Sequence, residues 1–323
     1  MTADNRFQLT ILGGFLGAGK STWLRHHLYA ETFEKPHVIV NEVASHAVDD
    51  TLLHGAAQID VLSGGCVCCD KQQEALMLLR RICNDRTRKQ TQPQPRHLIF
   101  EMSGVADPGA VIAAIQADPV LARHIVLKEI VVIVDAIHGQ AQLQSETLAR
   151  AQIEAADRIL ISKIDSCSVA HLASLHVTLR AINAATKVQA SHFGTEVALP
   201  TLPATPTPEL LKLGPHTPLN SQSIDLSQFS ENADIWVGLS VWLSAMLYAH
   251  GDRLVRVKGV IQTPNGRLLL QSVRKTMQSP ERIPDEFQTK RNRHDNSLVI
   301  IGRGLDPDRN LTSLRHSIES TGS

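Results

Sequence analysis

The segment at residues 14–21 constrains the fold more than any other part of this sequence. It reads Gly-Phe-Leu-Gly-Ala-Gly-Lys-Ser and satisfies the pattern G-x-x-x-x-G-K-[ST]. An apolar run ending at Leu12 precedes it, and helical periodicity begins near Lys20, which is the context that a phosphate-binding loop requires. Glycines let successive backbone N–H groups turn inward around phosphate oxygens, and the helix amino end adds positive potential. The sequence therefore predicts a strand, a phosphate loop and a helix.

Two side chains of this loop have specific expected roles. Lys20 is expected to reach the β- and γ-phosphates as a catalytic cation, and Ser21 to ligate Mg²⁺. The predicted nucleotide-binding residues of the loop are Gly14, Gly17, Ala18, Gly19, Lys20, Ser21 and Thr22. The alternative is a glycine-rich strand-to-helix turn that binds no ligand.

Short apolar runs alternate with helical periodicity from Phe7 to about Val188. The candidate strands are Leu9–Leu12, Val38–Val40, Ile59–Leu62, Leu98–Phe100, Ile130–Val134 and Ile159–Ile161. Nearly continuous apolar runs indicate strands buried on both faces, as in a parallel sheet between helices. Residues 1–198 are therefore predicted to form an α/β P-loop NTPase domain with a mainly parallel sheet flanked by helices.

Composition changes beyond this domain. Prolines crowd residues 199–220, which we interpret as a linker. Residues 221–323 then show a helix from Ile235 to about Gly251, a hairpin of Leu254–Ile261 and Leu268–Val273, a strand at Leu298–Ile301 and a last helix over Asp306–Glu319. A smaller α+β C-terminal domain is predicted.

A carboxylate that completes the site of the phosphate loop is expected at the end of a neighbouring strand. Glu101 ends the run His97–Phe100 and would hold Mg²⁺ directly or through water, and the Gly104 N–H would face the γ-phosphate. An exposed acid at a strand end is the alternative for Glu101.

A base-recognition motif follows a later strand. Ser162-Lys163-Ile164-Asp165 comes directly after Ile159–Ile161. The Asp165 carboxylate can accept the guanine ring N–H and exocyclic amine together, which adenine cannot offer, while the Lys163 stem covers the base. The motif favours GTP over ATP.

Three thiols lie within four residues at Cys66, Cys68 and Cys69, after two glycines. Soft thiolates can converge on tetrahedral Zn²⁺, Co²⁺ or Cu⁺. A fourth ligand is missing, and water, Glu42, His46 or His54 are candidates. Buried structural cysteines and a Cys66–Cys69 redox pair are the alternatives. Cys83 and Cys167 are predicted to be core thiols.

Composition excludes several classes of function. The 32 Lys and Arg residues balance the 32 Asp and Glu residues, so no overall field attracts nucleic acid or anionic lipid. No apolar stretch approaches the roughly 20 residues that span a bilayer, and no signal peptide is evident. We expect a cytoplasmic protein without nucleic-acid or membrane partners, whose thiols stay reduced.

Taken together, these motifs resemble the CobW-like family of P-loop GTPases, in the SIMIBI class, and its zinc-transferring branch. The matching segments are G-G-F-L-G-A-G-K-S at 13–21, N-E at 41–42, G-G-C-V-C-C at 64–69, E-M-S-G-V-A-D-P at 101–108, S-K-I-D at 162–165, L-V-R-V-K-G at 254–259 and L-V-I-I-G at 298–302. The resemblance implies GTP hydrolysis coupled to metal transfer, with a client metalloprotein as partner and frequent homodimers. Zinc is favoured over cobalt.

Three departures from the family pattern stand out. First, the family's usual N-E-F-G-E-x-G is replaced by Asn-Glu-Val-Ala-Ser-His-Ala at 41–47. Second, the base motif begins with Ser162 in place of Asn or Thr. Third, many relatives carry a histidine-rich stretch before the C-terminal domain, whereas the linker of this chain holds only His216. The first change affects a segment that senses nucleotide in the family. Two other functions stay open, namely a P-loop kinase or NTPase with structural cysteines, and a nucleotide-dependent assembly scaffold without metal transfer.

Overall fold

A computed structural model of the protein describes residues 6–41, 55–62, 70–88, 95–104, 106–204, 219–229, 235–250, 253–263, 266–273, 276–277, 279–282 and 296–321. The chain forms two compact units. The first comprises Met1–Ile182 with Thr186–Gly214, and the second comprises Asn183–Ala185 with Pro215–Ser323. In the described residues, no helix is long and apolar enough to cross a bilayer.

In the part of the chain that the structure describes, the first unit is an eight-stranded sheet with helices between its strands. Its strands are β1 Phe7–Gly14, β2 His37–Asn41, β3 Gln58–Leu62, β4 His97–Glu101, β5 Ile125–Asp135, β6 Arg158–Ser162, β7 Lys187–His192 and β8 Thr195–Val197. Its helices are α1 Lys20–Tyr29, α2 Asp70–Arg88, α3 Pro108–Ala117, α4 Pro119–His124, α5 Gly139–Ser145, α6 Thr147–Ala155 and α7 Val169–Ile182. The strand order is β3-β2-β4-β1-β5-β6-β7-β8.

Every pair of neighbouring strands in this sheet is parallel except β7 with β8. The predicted α/β class is thereby confirmed. All six predicted strands form, each extended by one or more residues. The pair β7 and β8 was not predicted, because its sequence mixes polar and apolar residues, as edge strands with one solvated face do.

The order of the strands places the functional segments together. β4 lies between β1 and β2, so Glu101 pairs with Leu12 on one side and with Val40 on the other. On the opposite side of β1, Asp135 at the end of β5 pairs with Ser162 at the end of β6. Because parallel strands end at one edge of a sheet, the loops that follow β1, β4, β5 and β6 share that edge.

Among the residues described for the second unit, six strands form an antiparallel sheet that is accompanied by two helices. Its elements are β9 Leu219–Asp225, α8 Ile235–His250, β10 Leu254–Thr263, β11 Gly266–Val273, β12 Thr276–Met277, β13 Glu281–Arg282, β14 Ser297–Arg303 and α9 Pro307–Thr321. The strand order is β12-β11-β10-β14-β9, with β13 paired to β11. Leu239 and Trp242 of α8 and Leu314 of α9 are buried in one core with Val257 and Ile300 of the sheet.

The predicted α+β class of this unit is confirmed, and β9 is an addition to it. β9 reads Leu-Asn-Ser-Gln-Ser-Ile-Asp, which is too polar to stand out as a strand, yet it pairs along the whole of β14. It begins at Leu219, within the end of the predicted linker. Residues 205–218 of that linker lie outside the described residues.

Candidate nucleotide-binding site

The phosphate loop joins β1 to α1 through three glycines with positive φ. These φ values are 129° at Gly14, 73° at Gly17 and 99° at Gly19, which side chains rarely adopt. A Cβ on Gly14 would also lie 2.3 Å from the Ile133 carbonyl oxygen. The backbone conformation of the loop therefore requires these glycines. Such a conformation is needed for the loop to turn its N–H groups towards a phosphate.

Lys20 lies at the start of α1 with its ammonium group turned back over the loop. Its Nζ donates hydrogen bonds to the carbonyl oxygens of Gly14, at 2.8 Å, and Phe15, at 3.0 Å. Burial lowers the pKa of Lys20, and the nearby Glu101 carboxylate opposes that shift. The lysine is thus positioned within the loop where phosphate oxygens would be bound.

Ser21 and Glu101 are brought together although 80 residues separate them. The Ser21 hydroxyl donates to Glu101 Oε1 over 2.8 Å, and Glu101 is only 5% exposed. Two adjacent ligands of an octahedral Mg²⁺ with bonds of about 2.1 Å lie about 3 Å apart. The oxygen chemistry and the spacing of this pair therefore fit Mg²⁺.

Gly104 packs directly against the phosphate loop. An added Cβ would lie 2.5 Å from the Leu16 nitrogen and 2.9 Å from the Phe15 carbonyl carbon. Only glycine allows this approach of the two backbones. The buried residue Gln152 of α6 holds the same segment, since its Nε2 donates to the Gly104 oxygen at 3.2 Å and to the Ala106 oxygen at 2.9 Å.

The predicted base-recognition motif lies beside the same loop. The Ser162 hydroxyl donates to the Ala18 carbonyl oxygen over 2.7 Å. Lys163 adopts a left-handed backbone conformation, and its Nζ lies 2.6 Å from Asp135 Oδ2. Asp165 follows in a single 3₁₀ turn, Ile164–Ser166, with an exposed side chain. The motif therefore offers a carboxylate to solvent next to an anchored lysine.

The predicted metal ligands Cys66, Cys68, Cys69 and Glu42 lie outside the described residues, as do His46 and His54. Among the residues that are described, no group of three or more His, Cys, Asp or Glu could hold a metal ion. Cys83 is buried, as predicted for a core thiol, and burial raises its pKa to about 12. Cys167 is partly exposed instead, with its Sγ 3.7 Å from the Ile164 oxygen.

Two functional candidates had not been predicted from sequence. Asp135 ends the apolar run of β5. An acidic residue at the end of an apolar strand was the feature of the sequence that could have marked it as a candidate. Gln152 carries no signal in the sequence, because a glutamine on a helix is common and its partners are 46 and 48 residues away.

A glycine loop with a buried lysine, a Ser–Glu pair suited to Mg²⁺ and a parallel sheet define a P-loop NTPase domain. The chain belongs to the CobW/HypB/UreG family, since the model of that family's nucleotide-binding domain matches residues 8–190. The model of the cobalamin synthesis protein cobW C-terminal domain matches residues 230–317.

Curated relatives carry names that refer to zinc. The chain is 38% identical over 181 residues to the zinc chaperone YjiA of Escherichia coli K12, covering 56% of each protein. It is 28% identical over 194 residues to the zinc-regulated GTPase metalloprotein activator 1 of Schizosaccharomyces pombe, covering 58% of this chain and 46% of that protein. The chain thus spans about half the length of these two relatives. The zinc chaperone CobW of Pseudomonas aeruginosa is 25% identical over 97% of this chain and 92% of its own.

A solved structure supports the fold over both units. The Zn(II)-bound YjiA GTPase from E. coli matches 97% of this chain and 99% of its own, with a TM-score of 0.56 and 23% identity. At that identity, the likeness supports the fold alone.

Proposed function

We propose that this protein is a GTP-hydrolysing metallochaperone that binds zinc and delivers it to a client metalloprotein. The observation that carries the proposal is the contact between Ser21 and Glu101 at the phosphate loop. It brings the phosphate loop to the end of β4, and the segment with three cysteines follows β3, two strands away at the same edge of the sheet.

The nucleotide half of the proposal assigns a role to each residue of the site. Lys20 and the loop N–H groups would bind the phosphates, Ser21 and Glu101 would hold Mg²⁺, and the N–H of Gly104 would face the γ-phosphate. Mg²⁺, when bound, neutralises charge that develops on the phosphate oxygens as water attacks the γ-phosphorus and GDP leaves.

Guanine recognition is assigned to the loop after β6. Asp165 would accept two hydrogen bonds from the base, and Asp135 holds Lys163 in place for its stem to cover the ring. An adenine in the same place would offer its ring acceptor to a carboxylate, which disfavours ATP.

The zinc half rests on three thiols and on the names of the relatives. Thiolates are ligands of choice for zinc, and an incomplete set of protein ligands suits a metal that must be released. The segment that carries Cys66, Cys68 and Cys69 is attached at Leu62, the end of β3, and at Asp70, the start of α2. Leu62 pairs with Asn41 on β2, which is itself the neighbour of β4 with Glu101.

Proximity along the sheet edge gives the two sites a route for coupling. Three strand spacings separate β3 from β1, which places the attachment point of the thiol segment about 14 Å from the phosphate loop. We propose that GTP with Mg²⁺ assembles the thiol site and that hydrolysis loosens it, so that zinc passes to the client. Self-association is part of the same proposal.

Zinc titration of the wild type and of Cys66→Ala tests this function, each with Mg²⁺ and either a non-hydrolysable GTP analogue or GDP. We expect tighter zinc binding by the wild type with the analogue, and a loss of at least tenfold in Cys66→Ala. Cys167→Ala is the matched control, because it makes the same change at a cysteine outside the motif at 66–69.

Two results would contradict specific parts of the proposal. Equal zinc affinity with analogue and GDP would rule out coupling. Unchanged affinity in Cys66→Ala would remove the thiols from the metal site and favour the P-loop kinase or NTPase with structural cysteines.

A further inference from the structure

Gln152 connects α6 to the segment that follows Glu101. The side chain is 2% exposed, and its one amide nitrogen donates to two backbone oxygens, those of Gly104 and Ala106. Both carbonyl groups lie just beyond the Gly104 N–H, the group assigned to the γ-phosphate. A donor that binds the Gly104 carbonyl group also restrains the orientation of the Gly104 backbone.

The same helix also contacts the phosphate loop itself. A small cavity is lined by Phe15 of the loop together with Ala149, Gln152 and Ile153 of α6. The segment at Gly104 in turn packs against the backbone of Phe15 and Leu16. α6 therefore supports both sides of the place where the γ-phosphate would be bound.

We propose that Gln152 is a positioning residue that holds the Gly104 segment in the arrangement that binds a γ-phosphate. The inference rests on the proposed nucleotide function and adds to it the residue that makes the site favour GTP over GDP. GDP has no γ-phosphate, so its binding depends on the phosphate loop and the base motif, neither of which Gln152 bonds.

The arrangement of the segment explains why this residue would act on GTP in particular. Gly104 packs against the phosphate loop, and the hydrogen bonds from Gln152 help to hold its segment in that position. Removing the two hydrogen bonds would let the segment leave that position, and GTP binding would then have to restore it. Each hydrogen bond contributes a few-fold to such an equilibrium, and two together about tenfold.

The test compares Gln152→Met with Gln140→Met. Gln140 of α5 is also buried, at 5% exposure, and its Nε2 donates to the Thr178 hydroxyl on α7 at 3.3 Å. Both substitutions replace a buried amide by an apolar side chain of similar length. Calorimetric titration with Mg²⁺ gives the affinities of wild type and variants for GDP and for a non-hydrolysable GTP analogue.

In Gln152→Met, we expect the affinity for the GTP analogue to fall about tenfold relative to the affinity for GDP, which should stay as in the wild type. In Gln140→Met, we expect the same ratio of the two affinities as in the wild type. Gln152→Glu, which has the same shape but accepts hydrogen bonds when ionised, should lower the ratio at least as much. Retained GDP affinity shows in each case that the variant is folded.

An unchanged ratio in Gln152→Met, or an equal fall in Gln140→Met, would overturn the inference and leave the proposed function standing. If Gln152→Met does not fold, Gln152→Asn, which keeps an amide but shortens its reach, gives the same comparison. A wild type that binds neither nucleotide would instead overturn the proposed function, and this inference with it.

Discussion

Lys163 illustrates how single residues prepare the site. Its φ of 54° is in the left-handed region, which a lysine adopts only when its surroundings hold it there. The ion pair with the buried Asp135 supplies part of that restraint, with Nζ and Oδ2 at 2.6 Å. The backbone turn in turn directs the next residues, including Asp165, into a 3₁₀ turn at the sheet edge.

Asp165→Asn tests base recognition at the level of one residue. The introduced amide can accept only one of the two hydrogen bonds that guanine offers, so GTP affinity should fall by about tenfold or more. Xanthine carries a carbonyl where guanine carries its amine, and an amide can donate to it. We therefore expect the affinity for xanthosine triphosphate to rise relative to GTP, as measured by calorimetry.

The neighbouring Ser166 provides the control for that change. Its side chain is exposed in the same turn, and Ser166→Ala should leave the preference for GTP unchanged. If Asp165→Asn kept the wild-type preference as well, guanine recognition would have to be reassigned to another residue.

Among the helices, α2 is the element most directly linked to the proposed metal segment, because it begins at Asp70, directly after Cys69. Two ion pairs tie it to the unit. Arg80 pairs with Asp118 at the start of α4, and Arg81 with Asp60 on β3 at 2.7 Å. Both arginines are more than half exposed, so solvent weakens these pairs. They hold the middle of α2 against β3 and the start of α4 more than they stabilise the fold.

Asp118→Ala should destabilise the first unit by about 2 kcal/mol. Asp118 is the N-cap of α4, where its Oδ1 accepts from the N–H groups of Val120 and Leu121, and its Oδ2 accepts from Arg80. The desolvation cost of the carboxylate is outweighed by these bonds, which lower its pKa. Urea unfolding followed by circular dichroism measures the loss.

Asp107→Ala is the comparison for that substitution. Asp107 caps α3 through the Gly109 N–H at 2.9 Å and is less buried, so about 1 kcal/mol is expected. A loss in Asp118→Ala no larger than in Asp107→Ala would show that the contact with Arg80 adds nothing to the cap.

For the whole molecule, buried and half-buried histidines contribute to the dependence of stability on pH. Burial lowers the pKa of His27, His37, His97 and His176 from the ordinary value of 6.5. At His37, a hydrogen bond of 2.7 Å between Nε2 and Asp60 opposes this shift without cancelling it. All four side chains belong to the first unit, and burial favours their neutral form.

Acidification should therefore destabilise the protein before its carboxylates titrate. A folded-state pKa below 6.5 means that the unfolded chain binds more protons, so the free energy of unfolding falls as pH decreases from about 6.5 towards the folded-state values. Urea unfolding should give a lower free energy at pH 5.5 than at pH 7.5.

His37→Gln should make that dependence shallower, because the amide can still donate to Asp60 but does not titrate. The exposed His192, for which His192→Gln is the matched change, should leave the slope unchanged. Equal stability of the wild type at the two pH values would contradict the assignment of neutral buried histidines.

Much of this protein can be predicted from sequence because the relevant chemistry is local. The phosphate loop needs glycines at φ values that only they adopt readily, followed by a lysine and a hydroxyl, and all of them lie within eight positions. The core strands were predictable from continuous apolar runs. β7, β8 and β9 were not predicted, because polar residues interrupt the continuous apolar run that is typical of a strand buried on both faces.

Tertiary structure decided which distant residues meet. The sequence predicted Glu101 as a metal ligand, but only the insertion of β4 between β1 and β2 brings its carboxylate to Ser21. The pairing of Asp135 with Lys163 and of Gln152 with Gly104 follows from the same sheet order and the packing of α6. Such contacts depend on strand order and helix packing, which arise from burial summed over the entire core, and no short stretch of sequence encodes them.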